Sequence, residues 1–426
     1  MTPICEVERE RYATSGQERV AVSCSVSYIG QGLRLEETRA LVNSSDWNYR
    51  ARSRESQDNG KTWSDWELLY EERPRQGDVT ESGGASQRGT GPYDPVSGML
   101  IKPVFQRLLR GDPREALHLL WTGERRFADH GFYQLSADDG RTWGDARLLK
   151  YESGPDFDPE DWGNETFFRR NEMYVGRPLV TSNGTVVISA TVPVPYRDAE
   201  DEKIPVVFPN TYREGCVAGV ICFVGRWDAA AGDYRWQTSQ PIFLPRRTST
   251  RGLVELDLSE LSDGRLLLIM RGSNAGLDPL ECPGRKWCST SSDGGLTWTP
   301  IRDLRYDDGG QFYSPATFGK TIRASVTGKL YCVLNIAERP AEANGPRHPL
   351  QIAEVDEQRV ALKRDTVTVI DRRDPEHDAD TLQLTNFSLL ENRETRDLEL
   401  YLTRLGARGG GRDVWSADAY HYRLRL

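Results

Sequence analysis

An eight-residue pattern, Ser-x-Asp-x-Gly-x-Thr-Trp, occurs three times and narrows the possible folds more than any other feature of the chain. It reads SQDNGKTW at Ser56–Trp63, SADDGRTW at Ser136–Trp143 and SSDGGLTW at Ser291–Trp298. The central Asp-x-Gly is hairpin-turn chemistry, because Asp bonds nearby backbone and Gly accepts positive φ. The closing Trp is expected to pack across the hairpin and lock the turn to its neighbouring strand. Three copies in register indicate a repeated antiparallel unit. A degraded copy at Asp228–Trp236 keeps the acid, the glycine and the tryptophan.

A looser repeat counts the units. Six times a turn leads into an apolar or β-branched run: GLRLEETRALV from Gly32, GMLIKPVF from Gly98, GTVVISATV from Gly184, GRLLLIM from Gly264, GKLYCVLN from Gly328 and DLELYLTRL from Asp397. Successive starts are 66, 86, 80, 64 and 69 residues apart, with no long helical periodicity between them. Short strands at such spacing predict repeated antiparallel sheets. Radial repetition of four-stranded sheets is a β-propeller, here all-β with six blades in one domain spanning residues 1–426. The last segment, DVWSADAYHYRLRL, reads as a closing strand, and ICEVERERYA near the start is placed to pair beside it. Glu71–Tyr93, Tyr151–Arg170 and Tyr196–Gly215 read as loops, and Gly406–Arg412 as a hairpin tip.

Composition suits this architecture and removes some functions. Eleven Trp, 17 Tyr, 39 Gly and 23 Pro fit many short strands joined by tight turns. A net charge of −9 without a basic tract argues against a nucleic-acid partner. No apolar stretch reaches membrane-spanning length, and the polar first fifteen residues do not read as a signal peptide. A cytoplasmic protein, or a secreted one whose leader is missing from this chain, fits equally. Of seven Cys, Cys216 with Cys222 or Cys282 with Cys288 could pair locally, while reduced buried thiols are the plainer reading. The five His lack metal-ligand spacing and no cofactor is expected, although Asp-rich loops could bind a structural Ca²⁺.

These motifs on six repeats resemble the sialidase superfamily, whose bacterial members carry BNR or Asp-box repeats, and the resemblance covers nearly the whole chain. The best-matching stretch is GLVELDLSELSDGRLLLIMRG (Gly252–Gly272), followed by the third motif. The resemblance implies a role for several residues. Asp46, between the first apolar run and the first motif, falls where the family has its acid/base Asp. Glu255 matches the Glu beside the nucleophile. Arg271 and Arg347 match two arginines of a carboxylate-gripping triad, and Arg19 takes the place of the first, though the usual Arg-Ile-Pro reads Arg-Val-Ala. The nucleophile position departs from the family: LTNFSLL offers Asn386, Phe387 and Ser388 where a Tyr is usual.

The residues themselves carry part of this chemistry. In VELDLSEL, strand alternation would put Glu255 and Asp257 on one face, where paired carboxylates push each other's pKa apart. Such a pair equally suits a polar strand face satisfied by its neighbours. Arg271 and Arg347 suit a bidentate grip on a carboxylate, or alternatively Arg–Asp bridges between blades. Tyr313 and Tyr93 stand as replacements for the missing tyrosine or as packing aromatics, and His348 as a base. The reading that follows is an exo-acting, sialidase-like glycoside hydrolase for a terminal anionic sugar. Asp46 would be its acid and Glu255 its base, activating water directly as an inverting enzyme does. Arg271, Arg347, Arg19, Asp257 and Tyr313 would bind the substrate. The alternatives are a polysaccharide lyase acting on uronates and a non-catalytic carbohydrate-binding propeller.

Overall fold

The computed structural model describes residues 3–16, 20–44, 47–71, 73–74, 79–82, 91–112, 115, 127–154, 169–204 and 215–426. Six antiparallel sheets follow one another along the chain, and together they form a six-bladed β-propeller. Blade one runs through Ala21–Tyr28, Leu35–Ser44, Trp47–Ser56 and Glu67–Glu71. Blade three uses Tyr174–Val180, Val186–Pro195, Cys216–Asp228 and Asp233–Thr238. Blade four uses Val254–Glu260, Leu266–Arg271, Lys286–Ser291 and Arg302–Asp303.

The other blades vary this plan. Blade two is built on Met99–Arg110 and Phe127–Ser136, with the short pieces Arg73–Pro74 and Val79–Ser82 inside the stretch expected as loop. Blade five pairs Lys320–Arg323, Leu330–Asn335 and Leu350–Asp356, and both Ala361–Leu362 and Thr368–Asp371 bond to the last of these. Blade six takes Ser388–Glu391, Leu398–Thr403 and Ala419–Arg425, and the N-terminal strand Glu6–Ala13 completes it. That pairing closes the ring with hydrogen bonds between the chain's two ends, as expected from the two terminal segments. The six apolar runs are the second strands of the six blades.

Those runs are nearly continuous in hydrophobicity because a middle strand of a blade is covered on both faces. In Leu266–Arg271 the alternate residues Leu266, Leu268 and Met270 pack toward blade three, with Val187, Val220 and Cys222. Leu267 and Ile269 pack the other way, against Leu330, Cys332 and Leu334 of blade five. The core is therefore a set of layers between blades. All seven cysteines are free, so neither local pair forms a disulfide.

The repeated motif builds the turn between third and fourth strands. In the first copy Ser56 Oγ donates to Asp58 (2.8 Å) and accepts from Gly60 N (2.8 Å). Asp58 in turn accepts from Thr62 N (2.8 Å) and Thr62 Oγ1 (2.6 Å). The Thr62 bonds hold the Asp58 carboxyl down at about 2. Trp63 Nε1 closes the turn on the Gly60 carbonyl at 3.0 Å, and Gly60 sits at φ +84°, where a side chain would be strained. The Ser136 and Ser291 copies repeat the same Ser–Asp–Thr bonds. At Asp228–Asp233 the degraded copy occupies the equivalent hairpin, with Asp228 held by Ala230 N and Arg235 Nε instead.

Two other loop expectations change in detail. Tyr196–Gly215 contains a short helix at Ala199–Glu202, capped by Asp198, which accepts from Glu200 N and Asp201 N. Gly406–Arg412 lies in the long loop of the hairpin between the second and third strands of blade six and leads into a 3₁₀ turn at Gly411–Trp415.

Candidate active site

Strand direction sorts the candidates. In a four-stranded antiparallel blade, the loops before the first strand and between the second and third lie at one end. The turns after the first and third strands lie at the other. The three motifs occupy the latter end. Glu255, Arg271, Tyr313 and Arg347 fall at the former, around the mouth. Arg19 and Asp46 lie outside the described residues.

Glu255 stands one residue into the first strand of blade four. Val254 pairs with Arg271 but Asp257 pairs with Ile269, so one extra residue is accommodated between them as a β-bulge. Glu255 adopts φ +49° there, a left-handed conformation that costs a non-glycine residue on the order of 1–2 kcal/mol. The bulge breaks the alternation that would have placed Glu255 and Asp257 on one face. Glu255 Oε2 reaches Arg271 Nη1 at 2.5 Å, in an ion pair without an aligned hydrogen bond. Asp257 turns to the neighbouring blade, accepting from Thr321 N (2.8 Å) and Thr321 Oγ1 (2.5 Å).

Arg271 and Arg347 meet through Asn344. Arg271 Nη2 donates to Asn344 Oδ1 at 3.1 Å, and Arg347 Nε donates to the Asn344 carbonyl at 3.1 Å. A second fork nitrogen of Arg347 holds Gln383 Oε1 at 2.8 Å. The loop carrying Asn344 is pinned from below by buried Asn274, whose amide donates to the Ala341 carbonyl and whose oxygen accepts from Ala343 N. Next to Arg271, Gly272 has no room for a side chain, since a Cβ would come within 2.4 Å of Trp287 Nε1. Among the described residues the acid partner of Arg271 is Glu255 of its own blade, not an Asp of a neighbouring one.

Beneath the pair lies Lys286, directly across the ladder from Arg271 and only 1% exposed. Its ammonium donates to the Thr317 carbonyl and to Thr317 Oγ1. Burial first, then Arg271 and Arg347, outweigh the opposing Glu255 and Cys332 and push its pKa down to about 7. Among the described residues two permanent cations, Arg271 and Arg347, stand near one carboxylate, Glu255, a balance that suits a negatively charged ligand.

The remaining candidates have other partners. Tyr313 bonds through its backbone to Ala337 and lies 5.1 Å under the Arg285 guanidinium. Phe387 is buried against Phe318, at 5.0 Å between ring centres, and offers no hydroxyl. His348 is held below its ordinary pKa by burial and by Arg373, which keeps the imidazole neutral at neutral pH. Sequence reasoning missed Lys286, Asn344, Gln383 and Asn274. Lys286 had one signal, a charge opening the strand KWCSTS that runs into the third motif. Among the described residues no cluster of three or more metal-ligating side chains occurs, and no helix is long and apolar enough to cross a membrane.

Fold and site together define a six-bladed propeller of the kind found in sialidases, with an arginine-rich mouth. No family model matches the chain, and no curated protein does. Solved structures match over nearly its whole length. A protein of unknown function from Dyadobacter fermentans aligns with a TM-score of 0.57 at 14% identity, covering 99% of both chains. The NanB sialidase from Streptococcus pneumoniae, as its K499G mutant, aligns with a TM-score of 0.56 at 12% identity, covering 98% of this chain and 70% of that one. A Hadza microbial sialidase aligns at 0.53 and 15%, covering 97% and 67%. At such identities the likeness establishes the fold, which is shared with glycoside hydrolases, and leaves the reaction to the site's own chemistry.

Proposed function

We propose that this propeller is an exo-acting glycoside hydrolase that removes a terminal, carboxylate-bearing sugar from a glycan. The observation that carries the reading is Glu255, held in a strained conformation against Arg271 while Arg347 converges through Asn344. Strain of this kind, kept in a half-buried ion pair at a propeller mouth, suits a preorganised reactive carboxylate. In this reading the two arginines take the sugar's carboxylate, which releases Glu255 from its ion pair to activate a water. Asp46 protonates the leaving oxygen. With Phe387 in place of a tyrosine, direct attack by water and inversion at the anomeric carbon follow.

The test is product analysis on sialosides, uronic-acid glycosides and neutral glycosides. Free terminal sugar released from an acidic substrate supports the reading. An unsaturated uronate, seen by its ultraviolet absorbance, would mean elimination by a lyase. Saturable binding of an acidic glycan without turnover would leave a carbohydrate-binding propeller.

A further inference from the structure

The first strands of the blades share a register that reveals a second charged site, deeper in the molecule. Each hairpin between first and second strands closes on a paired couple: Tyr28 with Leu35, Val180 with Val186, Glu260 with Leu266, Arg323 with Leu330, and Glu391 with Leu398. Three residues upstream of each couple stand Ser25, Arg177, Asp257, Lys320 and Ser388. The counterpart in blade two lies outside the described residues. These side chains form one layer around the central shaft. Blades three, four and five contribute a cation, an anion and a cation in succession, while blades six and one contribute small serines.

The charges in this layer do not balance. Asp257 spends one oxygen on both Thr321 donors. Lys320 Nζ gives one hydrogen bond, to the Phe387 carbonyl at 2.7 Å, and lies 5.2 and 5.6 Å from the ring centres of Phe318 and Phe387, which leaves its hydrogen-bonding capacity only partly used. Arg177 makes no hydrogen bond or close ion pair among the described residues, although a guanidinium is among the strongest donors a protein has. Arg177 is exposed and Asp257 and Lys320 are half-buried, and all three stand on first strands, the innermost of each blade, so the solvent they meet is that of the central shaft. Burial, and then Arg177, holds the Lys320 pKa well below its ordinary value, while burial raises that of Asp257. With all three ionised, the described members of the layer carry one uncompensated positive charge.

We propose that the shaft binds one small monovalent anion, of the chloride class, between the Arg177 guanidinium and the Lys320 ammonium. The anion completes the layer's charge, takes up the donors Arg177 leaves unused, and ties blades three and five together across Asp257. It sits deeper than the Glu255–Arg271 mouth and does not depend on what the mouth does.

Bromide, an X-ray-visible stand-in for chloride, tests this without reference to any activity. Thermal unfolding is followed as sodium bromide replaces sodium gluconate at constant ionic strength, gluconate being a far bulkier anion than bromide. Wild type is expected to show a saturable rise on the order of 2 °C. Arg177→Gln, which loses no protein hydrogen bond and should fold, is expected to lose that rise. Crystals of the wild type soaked in bromide should show one anomalous peak in the shaft, beside Arg177 and Lys320. An unchanged bromide response in Arg177→Gln, or a shaft without a peak in soaked wild-type crystals, overturns the proposal; the charge would then be relieved by a neutral Lys320.

Discussion

Glu255 meets Arg271 at 2.5 Å because the chain carries one residue more than its partner strand between Val254 and Asp257. Without the bulge, Glu255 would follow the plain alternation of the strand and share its face with Asp257. With it, the two acids serve different places: Glu255 the mouth, Asp257 the shaft. The backbone strain at Glu255 is kept because Arg271 is fixed in turn by Asn344, on a loop that Asn274 holds in place.

Arg347 should act through its fork. It donates from two different nitrogens, to Asn344 and Gln383, which an ammonium cannot reproduce with the same geometry. Arg347→Lys is expected to raise KM for an acidic substrate by about 10-fold or more while changing kcat far less. Steady-state kinetics checks this, and equal losses in kcat and kcat/KM would place Arg347 in the transition state instead.

Lys286 makes stability depend on pH. Its folded pKa of about 7 lies below the ordinary lysine value of 10.5, so between these values the unfolded chain binds a proton that the folded chain lacks. Stability then rises with pH across that window, and the full penalty of the buried charge is felt below it. Other groups titrate there too, so the difference between wild type and Lys286→Met is the quantity to measure. Denaturant melts should show wild type gaining on the variant from pH 7 upward.

The motif turns should affect stability without touching the mouth. Ser291 is buried and bonds both Asp293 (2.8 Å) and Gly295 N (2.9 Å), at the end of blade four opposite Glu255. Ser291→Ala is expected to cost about 1–2 kcal/mol in equilibrium unfolding and to leave KM unchanged.

The closure of the ring titrates in the opposite sense to Lys286. His421, on the last strand, is stacked on Tyr401 and bonds Glu10 of the first strand at 3.0 Å, with Glu399 at 3.5 Å. Burial alone would lower its pKa, but the bonds to Glu399 and Glu10 outweigh it and raise the value above 6.5. This contribution is fully present below pH 6.5 and is lost as pH rises through the folded value. Glu10→Gln should weaken that loss, seen as a flatter dependence of Tm on pH.

Much of the architecture was legible in the chain. Ser, Asp, Gly, Thr and Trp at fixed offsets bond to one another within eight residues, so the turns could be read locally. The six apolar runs marked six strands because each is covered on both faces. The site was legible only in part. Arg271 announced itself as a charge closing a buried strand, but the bulge at Glu255 has no local marker, since no glycine stands there. Asn344 and Gln383 are ordinary loop polars whose roles exist only because blades four, five and six meet. The charged layer was equally hidden: Arg177, Asp257 and Lys320 are far apart in sequence and become neighbours only through strand register.

The most direct test of the central claim is turnover of an acidic glycoside by wild type and by Glu255→Gln, compared side by side with both proteins shown to be folded. The account predicts free, saturated sugar from wild type, with kcat in the variant lower by about 100-fold or more and KM little changed. A variant that keeps the wild-type rate, or an unsaturated product from either protein, would contradict it.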